Sequence, residues 1–244
     1  MTFDTDSLSP VEALLSPVRH STHPWLTWYS QNGERVELSG RVFDNWVAKS
    51  ANLLSEAFDL APGDTVATDM PGHWKSAALA LACWHLGAEL RCVAPGTDPG
   101  TVDLFVTAYP QTLNVGGSVE VLVVPLPSLA MSYDGELPVG STDYAAEVRA
   151  YADSYFASPI DTSAVALVPG GGSDGGQSFS ELFTPAGAEG TTLATTAWPL
   201  ERLLPALVGL WANGTPVVLV EEGVTITDRL LSGERVVNRL DQGA

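Results

Sequence analysis

The stretch from residue 65 to residue 94 constrains the fold of this chain more than any other. Thr65 to Thr68 reads as a short buried strand. Trp74 to Leu86 has helical length and is apolar on nearly every side, through Ala77, Ala78, Leu79, Ala80, Leu81, Ala82, Cys83 and Trp84. A helix without a polar face is a buried helix. Gly87 stands where a left-handed C-cap is needed, and Glu89 to Ala94 reads as a second strand. Strand, helix and strand joined by short turns form a right-handed βαβ unit, which implies a parallel sheet.

The same rhythm runs through the rest of the chain. Gln31-Asn32-Gly33-Glu34 predicts a hairpin turn between strands at Leu26 to Ser30 and Arg35 to Leu38. Ser39 then caps a helix whose Phe43, Trp46, Val47, Ala51, Leu54 and Phe58 recur at helical spacing. Pro62-Gly63-Asp64 is a turn. Strands are expected at Val102 to Thr107 and Val119 to Val124, and a helix over Tyr144 to Phe156. In the second half strands are expected at Ala164 to Val168, Thr191 to Thr196 and Val217 to Val220. A helix is expected over Pro199 to Trp211 with proline at its first position, and a short helix ending within Val236 to Leu240. The fold class is α/β, with mainly parallel sheets flanked by helices. The expected division is an N-terminal extension over 1–24, a first α/β lobe over 25–157 and a second over 158–244, the two packing as separate lobes or as one unit.

Charge narrows the function classes. The formal net charge is -18, from 29 acidic residues against only 11 lysines and arginines. The acidic share is ordinary; the shortage is of bases, with Lys49 and Lys75 the only lysines. Such a surface repels polyanions, so neither nucleic acid nor an anionic membrane is an expected partner. ATP and coenzyme A are polyanions too and would need a strong local site. Cys83 and Cys92 form no C-x-x-C pair and have no metal-ligand spacing with His20, His23, His73 or His85, so no metal is expected. Met1 to Pro10 has no base and two aspartates, unlike a secretory signal, so the expected location is cytoplasmic.

A glycine-rich loop, Pro169 to Gly176, follows the strand at 164–168. Gly170, Gly172 and Gly175 spell G-x-G-x-x-G, but no helix begins at the third glycine and the next strand ends at Ala197-Trp198 rather than on an acid. A phosphate loop of the Walker type needs a lysine followed by Ser or Thr. Neither lysine lies near, and Asp174 places a negative charge inside the loop. Two readings stay open: a low-complexity surface loop, or a weak anion nest made from the backbone of Gly170, Gly171, Gly172, Ser173 and Gly175.

The order of several pieces resembles the adenylate-forming superfamily, the AMP-forming acyl-CoA synthetases. The pieces are Val36-Glu37-Leu38-Ser39 before a helix, Pro62-Gly63-Asp64-Thr65-Val66-Ala67, and Leu81-Ala82-Cys83-Trp84-His85-Leu86-Gly87-Ala88-Glu89. A further piece is Ala197-Trp198-Pro199-Leu200-Glu201, followed by Leu210-Trp211-Ala212-Asn213-Gly214-Thr215-Pro216-Val217-Val218-Leu219. The resemblance covers roughly residues 25 to 222 and is similar to a small actinobacterial family distantly related to AMP-binding enzymes. It implies the fold of the N-terminal part of an acyl-CoA synthetase. It also places 169–176 at the superfamily's ATP-phosphate loop, whose Thr, Ser and Lys pattern is here reduced to Ser173. The aromatic-Asp/His position becomes Trp198-Pro199. The adenine-binding Tyr-Gly-x-Thr-Glu, the ribose-binding Asp and the catalytic Lys of the C-terminal domain have no match before Ala244.

These departures favour a non-catalytic relative, a pseudoenzyme serving as a binding or scaffold module, with no catalytic residue and no required cofactor. The alternative is residual AMP, ATP or acyl binding in a groove near Trp198, with weak or partner-dependent ligase activity. Apolar residues at Trp198, Leu203, Leu207 and Trp211 read either as core or as a surface covered by a second copy or a protein partner. A different enzyme would have to use Asp69, His73, Lys75 and Glu89 around the first βαβ unit, but these read first as a solvated helix start with a histidine at the edge of the core.

Overall fold

The computed structural model describes residues 9–170, 175–187 and 189–240. A short helix α1 (Pro10–Leu15) begins at Ser9, whose Oγ accepts the Glu12 amide at 3.2 Å. The hairpin forms as β1 (Pro24–Tyr29) and β2 (Arg35–Ser39). Ser39 caps α2 (Gly40–Phe58), which buries Phe43, Val47, Ala51 and Leu54 along one stripe. The helix stops at Asp59 in the left-handed region, a conformation that Asp tolerates because its short side chain can bond locally.

The βαβ unit is as expected. Strand β3 (Thr65–Thr68) leads to α3 (Trp74–Leu86) and then to β4 (Glu89–Cys92), and β3 and β4 pair in parallel. All thirteen residues of α3 are buried. Gly87 closes it at φ +82°, with its amide returned to the carbonyls of Cys83 and Trp84. Any Cβ there would lie 2.8 Å from Ile160 Cγ2, so the site needs glycine for space as well as for backbone conformation. Helix α3 packs against α1, α2 and β4. Its Trp84 indole N–H reaches the Ala166 carbonyl at 2.8 Å.

The chain continues through β5 (Leu104–Thr107), β6 (Glu120–Val123), β7 (Ser141–Asp143) and α4 (Tyr144–Glu147). Then come β8 (Val165–Val168), β9 (Gln177–Ser178), α5 (Phe179–Leu182) and β10 (Thr192–Thr195). The chain closes with α6 (Leu200–Ala212), β11 (Val217–Val220), α7 (Asp228–Gly233) and β12 (Asn238–Arg239). One sheet has the order β12-β10-β11-β1-β2 and the other β7-β6-β5-β3-β4-β8-β9. All neighbours are parallel except β1/β2 and β8/β9. Both sheets take strands from both sides of residue 158, and one hydrophobic cluster running from Leu26 through Leu90 to Leu219 is shared between them.

Three local expectations are corrected. The helix over 144–156 ends early: α4 gives way to one 3-10 turn, Val148–Ala150. Side chains of α2 capture the carbonyls that a longer helix would use internally. Asn52 Nδ2 donates to the carbonyls of Ala152 at 2.9 Å and Ser154 at 3.0 Å, and Lys49 Nζ to that of Tyr151. Residues 236–240 hold a strand, because the free edge of β10 offers acceptors; the Leu240 amide donates to the Leu193 carbonyl at 2.8 Å. Pro199 sits at the N-cap of α6 rather than inside it, with its carbonyl accepting the amides of Arg202 and Leu203.

Candidate functional site

Strand β3 passes through α3 to β4 on one side, while β5 lies on its other side. Strand order reverses there, and in open α/β sheets the crevice beyond the strand ends at such a point is where ligands bind. A cleft of about 600 Å³ opens at this place, walled by segments 68–72, 92–95 and 196–201 with Thr97, Tyr109 and Gly170. It therefore joins the ends of β3, β4 and β8 in one sheet to the end of β10 in the other. Gly72 makes the junction close. A Cβ at that position would lie 2.7 Å from Thr196 Cβ and 2.9 Å from Leu203 Cδ2.

Asp69 follows the last residue of β3. Its amide donates to the Val106 carbonyl at 3.4 Å, and the side chain is only 4 % exposed. Oδ1 has no hydrogen-bond partner. Burial raises the carboxyl above the ordinary aspartate range, outweighing the Thr107 hydroxyl and the backbone at Asp69 and Ala108, which favour the charged form. Tyr109 is raised by burial and then by the charges of Asp69 and Glu221. Burial, with Glu201 adding to it, pushes the Cys92 thiol up to about 12. A thiol so disfavoured from ionising is no nucleophile.

Among the described residues, those lining this cleft include two acids, Asp69 and Glu201, and no lysine or arginine. One base touches its wall: Arg202 Cζ lies 4.0 Å from the Trp198 ring centroid, a cation–π stack.

The sequence-derived positions fall as follows. Gly170 and Trp198 line the cleft, and Gly175 does not. Gly171, Gly172 and Ser173 lie outside the described residues. After the loop the chain enters β9, antiparallel to β8, with Leu167 opposite Gln177. Helix α5 then starts at a capping box made by Ser178 and Glu181. The group Asp69, His73, Lys75 and Glu89 is not assembled. His73 Nδ1 caps α3 and its ring packs 4.6 Å from that of Trp28. Lys75 donates to two proline carbonyls, and Glu89 pairs with Arg91 at 3.0 Å. Only Asp69 reaches the cleft. Tyr109, Thr196 and Glu201 were not anticipated; the one available signal was their place just beyond strand ends, which needs the strand order to be informative. Among the described residues no group of His, Cys, Asp and Glu has the arrangement of a metal site, and no helix is long and apolar enough to cross a membrane.

No protein-family model matches the chain. It is 31% identical over 219 residues to a TIGR03089 family protein of Mycobacterium tuberculosis, an alignment covering 85% of this chain and 88% of that one. Among solved structures it is similar to an acyl-CoA synthetase from Brucella canis, with a TM-score of 0.76 and 19% identity over 95% of this chain. It is similar too to the acetoacetyl-CoA synthetase of Streptomyces lividans, with a TM-score of 0.66 and 18% identity. A fatty acyl CoA synthetase of Mycobacterium tuberculosis gives a TM-score of 0.65 at 12% identity. The chain spans about half the length of these synthetases, covering 47%, 42% and 48% of them respectively.

Proposed function

The chain belongs to the TIGR03089 family and has the fold of an acyl-CoA synthetase's N-terminal part; from that premise we propose that it is a non-catalytic binding module built on an AMP-binding-like scaffold. The observation that carries this reading is the charge of the cleft. Forming an acyl adenylate requires cations and oriented donors against the charge that develops on the α-phosphate. The cleft at the strand ends is walled instead by Asp69 and Glu201, with no lysine or arginine among the described residues that line it. A triphosphate entering it would meet like charge, on a chain whose net charge is already -18. Cleft volume supports ligand binding as such, since about 600 Å³ lies within the range of small-molecule sites.

ATP–pyrophosphate exchange, measured with a panel of short- and long-chain carboxylic acids, tests this directly. The expected result is no exchange above the buffer blank. Exchange dependent on any of the acids overturns the non-catalytic reading and favours a residual or partner-dependent ligase.

A further inference from the structure

We infer that residues 152–160 form an acid-released strap: they close over the imidazole of His85 on α3, and protonation of that ring frees them while the rest of the fold holds. The strap and His85 line a cavity that shares no residue with the cleft at the strand ends. The inference therefore stands or falls independently of what that cleft binds.

The strap is weakly tethered. It follows the 3-10 turn after α4 and holds no helix or strand. No backbone amide from 152 to 160 donates to another backbone carbonyl. The carboxamide of Asn52 on α2 is what ties it down by hydrogen bonds, reaching the carbonyls of Ala152 at 2.9 Å and Ser154 at 3.0 Å. Tyr155 and Ile160 pack partly buried against the core, while Phe156 between them is 90 % exposed. A segment with few inward side chains and no ladder opens at a low free-energy cost.

Beneath it lies a group that takes a charge only when uncovered. His85 is 3 % exposed, neither ring nitrogen has a hydrogen-bond partner, and its ring meets that of Tyr155 edge-on with centroids 5.0 Å apart. The cavity between them is about 700 Å³. Its charges do not hold a proton on the ring. Glu12 of α1 favours the charged form and Arg19 opposes it; Arg19 is itself bonded to Glu12 at 2.8 Å and to Asp44 of α2 at 2.9 Å. The other charged or titratable groups on the wall, His20, Arg41 and Asp153, are exposed to water. Burial is therefore the main cause that keeps the imidazole neutral, lowering its pKa to about 4. Helices α1 and α2 wall the cavity with intact ladders, so the strap is the wall that moves. Moving Tyr155 aside admits water and returns the ring towards its ordinary value of 6.5. Each proton taken up below that value then favours the open strap.

Proteolysis inside the strap reads the open fraction when reclosing outpaces cleavage. The full chain is cut with proteinase K at pH 7 and pH 5, each rate being divided by that on an unstructured peptide carrying residues 148–164. Ordinary carboxylates stay charged over this range, so histidines are the groups that titrate. His20 is exposed with the strap closed or open and adds no difference. Normalised cleavage within 152–160 is expected to rise about twentyfold from pH 7 to pH 5, with no such rise elsewhere in the chain. H85L should lose the rise, and H85Q takes its place if circular dichroism shows H85L unfolded. N52A removes the tether and leaves the histidine, so it should speed cleavage at both pH values by about fivefold and keep the pH ratio. A flat ratio in the native chain, the same rise without the histidine, or unchanged cleavage in N52A overturns the inference. So does a rise shared by cuts throughout the chain, which would place the proton uptake in global unfolding.

Discussion

Lys75 Nζ donates to the Pro125 carbonyl at 2.5 Å and, through a second proton, to the Pro127 carbonyl at 2.9 Å. The lysine sits in the first turn of a largely apolar helix and is 2 % exposed. Both carbonyls lie beyond the end of β6, where no strand ladder supplies them with donors, and only that of Pro127 has a backbone partner, the Ala130 amide at 3.1 Å. Lys75 supplies them instead and ties the segment after β6 to α3. Its neighbour Trp74 adds an indole N–H to Ser128 Oγ at 3.3 Å, and Ser128 donates in turn to Glu34. K75M keeps the volume of the stem but leaves the buried Pro125 carbonyl unpaired and the Pro127 carbonyl with the Ala130 amide, at 3.1 Å, as its remaining donor. It should lower the unfolding free energy by about 2 kcal/mol and speed proteolysis within 125–131. Urea unfolding and limited trypsin-free proteolysis, for instance with chymotrypsin, check both. Unchanged stability would mean that water replaces the ammonium without cost.

Two glycines of the loop after β8 should respond in opposite ways. A Cβ at Gly170 would stand 2.5 Å from the Cys92 carbonyl oxygen, at a place where both backbones are held by strands β4 and β8. Neither can move far, so G170A should destabilise by roughly 1–3 kcal/mol. Gly175 has no neighbour within 4 Å and no positive φ. G175A should be neutral or gain a few tenths of a kcal/mol by restricting the unfolded chain. Paired thermal unfolding of the two variants is the measurement. Equal effects would remove the steric distinction between them.

The contrast between these glycines shows how much of the molecule is legible in the sequence. Local periodicity and capping residues locate β3, α3 and β4, because Ser39, Pro62-Gly63-Asp64 and Gly87 leave the backbone few choices. Helix length over 144–156 is not legible, since Asn52 and Lys49 override it from a hundred residues away. The cleft is legible only in part. Gly170 and Trp198 can be picked by their place in a motif. Asp69 looks like any acid at a helix start until the strand order puts β3 at the reversal point beside β5 and β4. The G-x-G-x-x-G spelling gives no hint that Gly170 is required by the Cys92 carbonyl, because that contact joins strands paired through tertiary structure.

Both cysteines are free and buried, and burial pushes each thiol up to about 12. Thiolate is the reacting species, so neither should react with a disulfide reagent in the folded chain. Titration with Ellman's reagent should find no reactive thiol at pH 8 and two after denaturation. Fast labelling of Cys92 in the native state would show that the cleft opens further than the structure describes.

His85 should govern part of the acid stability. It lies on α3, is 3 % exposed, and neither ring nitrogen has a hydrogen-bond partner; its ring meets that of Tyr155 at 5.0 Å. Burial lowers its pKa to about 4, with Glu12 opposing and Arg19 reinforcing the shift. His73 is lowered further, to about 3, by burial and by Lys75. Both are bases held neutral in the fold. The unfolded chain takes up a proton near the ordinary pKa of 6.5, before the folded chain does. Stability contributed in this way is complete above that value and is lost as pH falls from it towards 4. Between pH 7 and pH 4.5 the loss should approach roughly 2 kcal/mol for each histidine. H85L removes one titrating site together with two unpartnered polar atoms. It should leave stability at pH 7 unchanged or higher, and it should flatten the fall on acidification. Denaturant unfolding of the native chain and H85L at the two pH values measures this. A variant that is weaker at pH 7 and just as acid-sensitive would place the proton uptake elsewhere and show that the His85 ring is paired in solution.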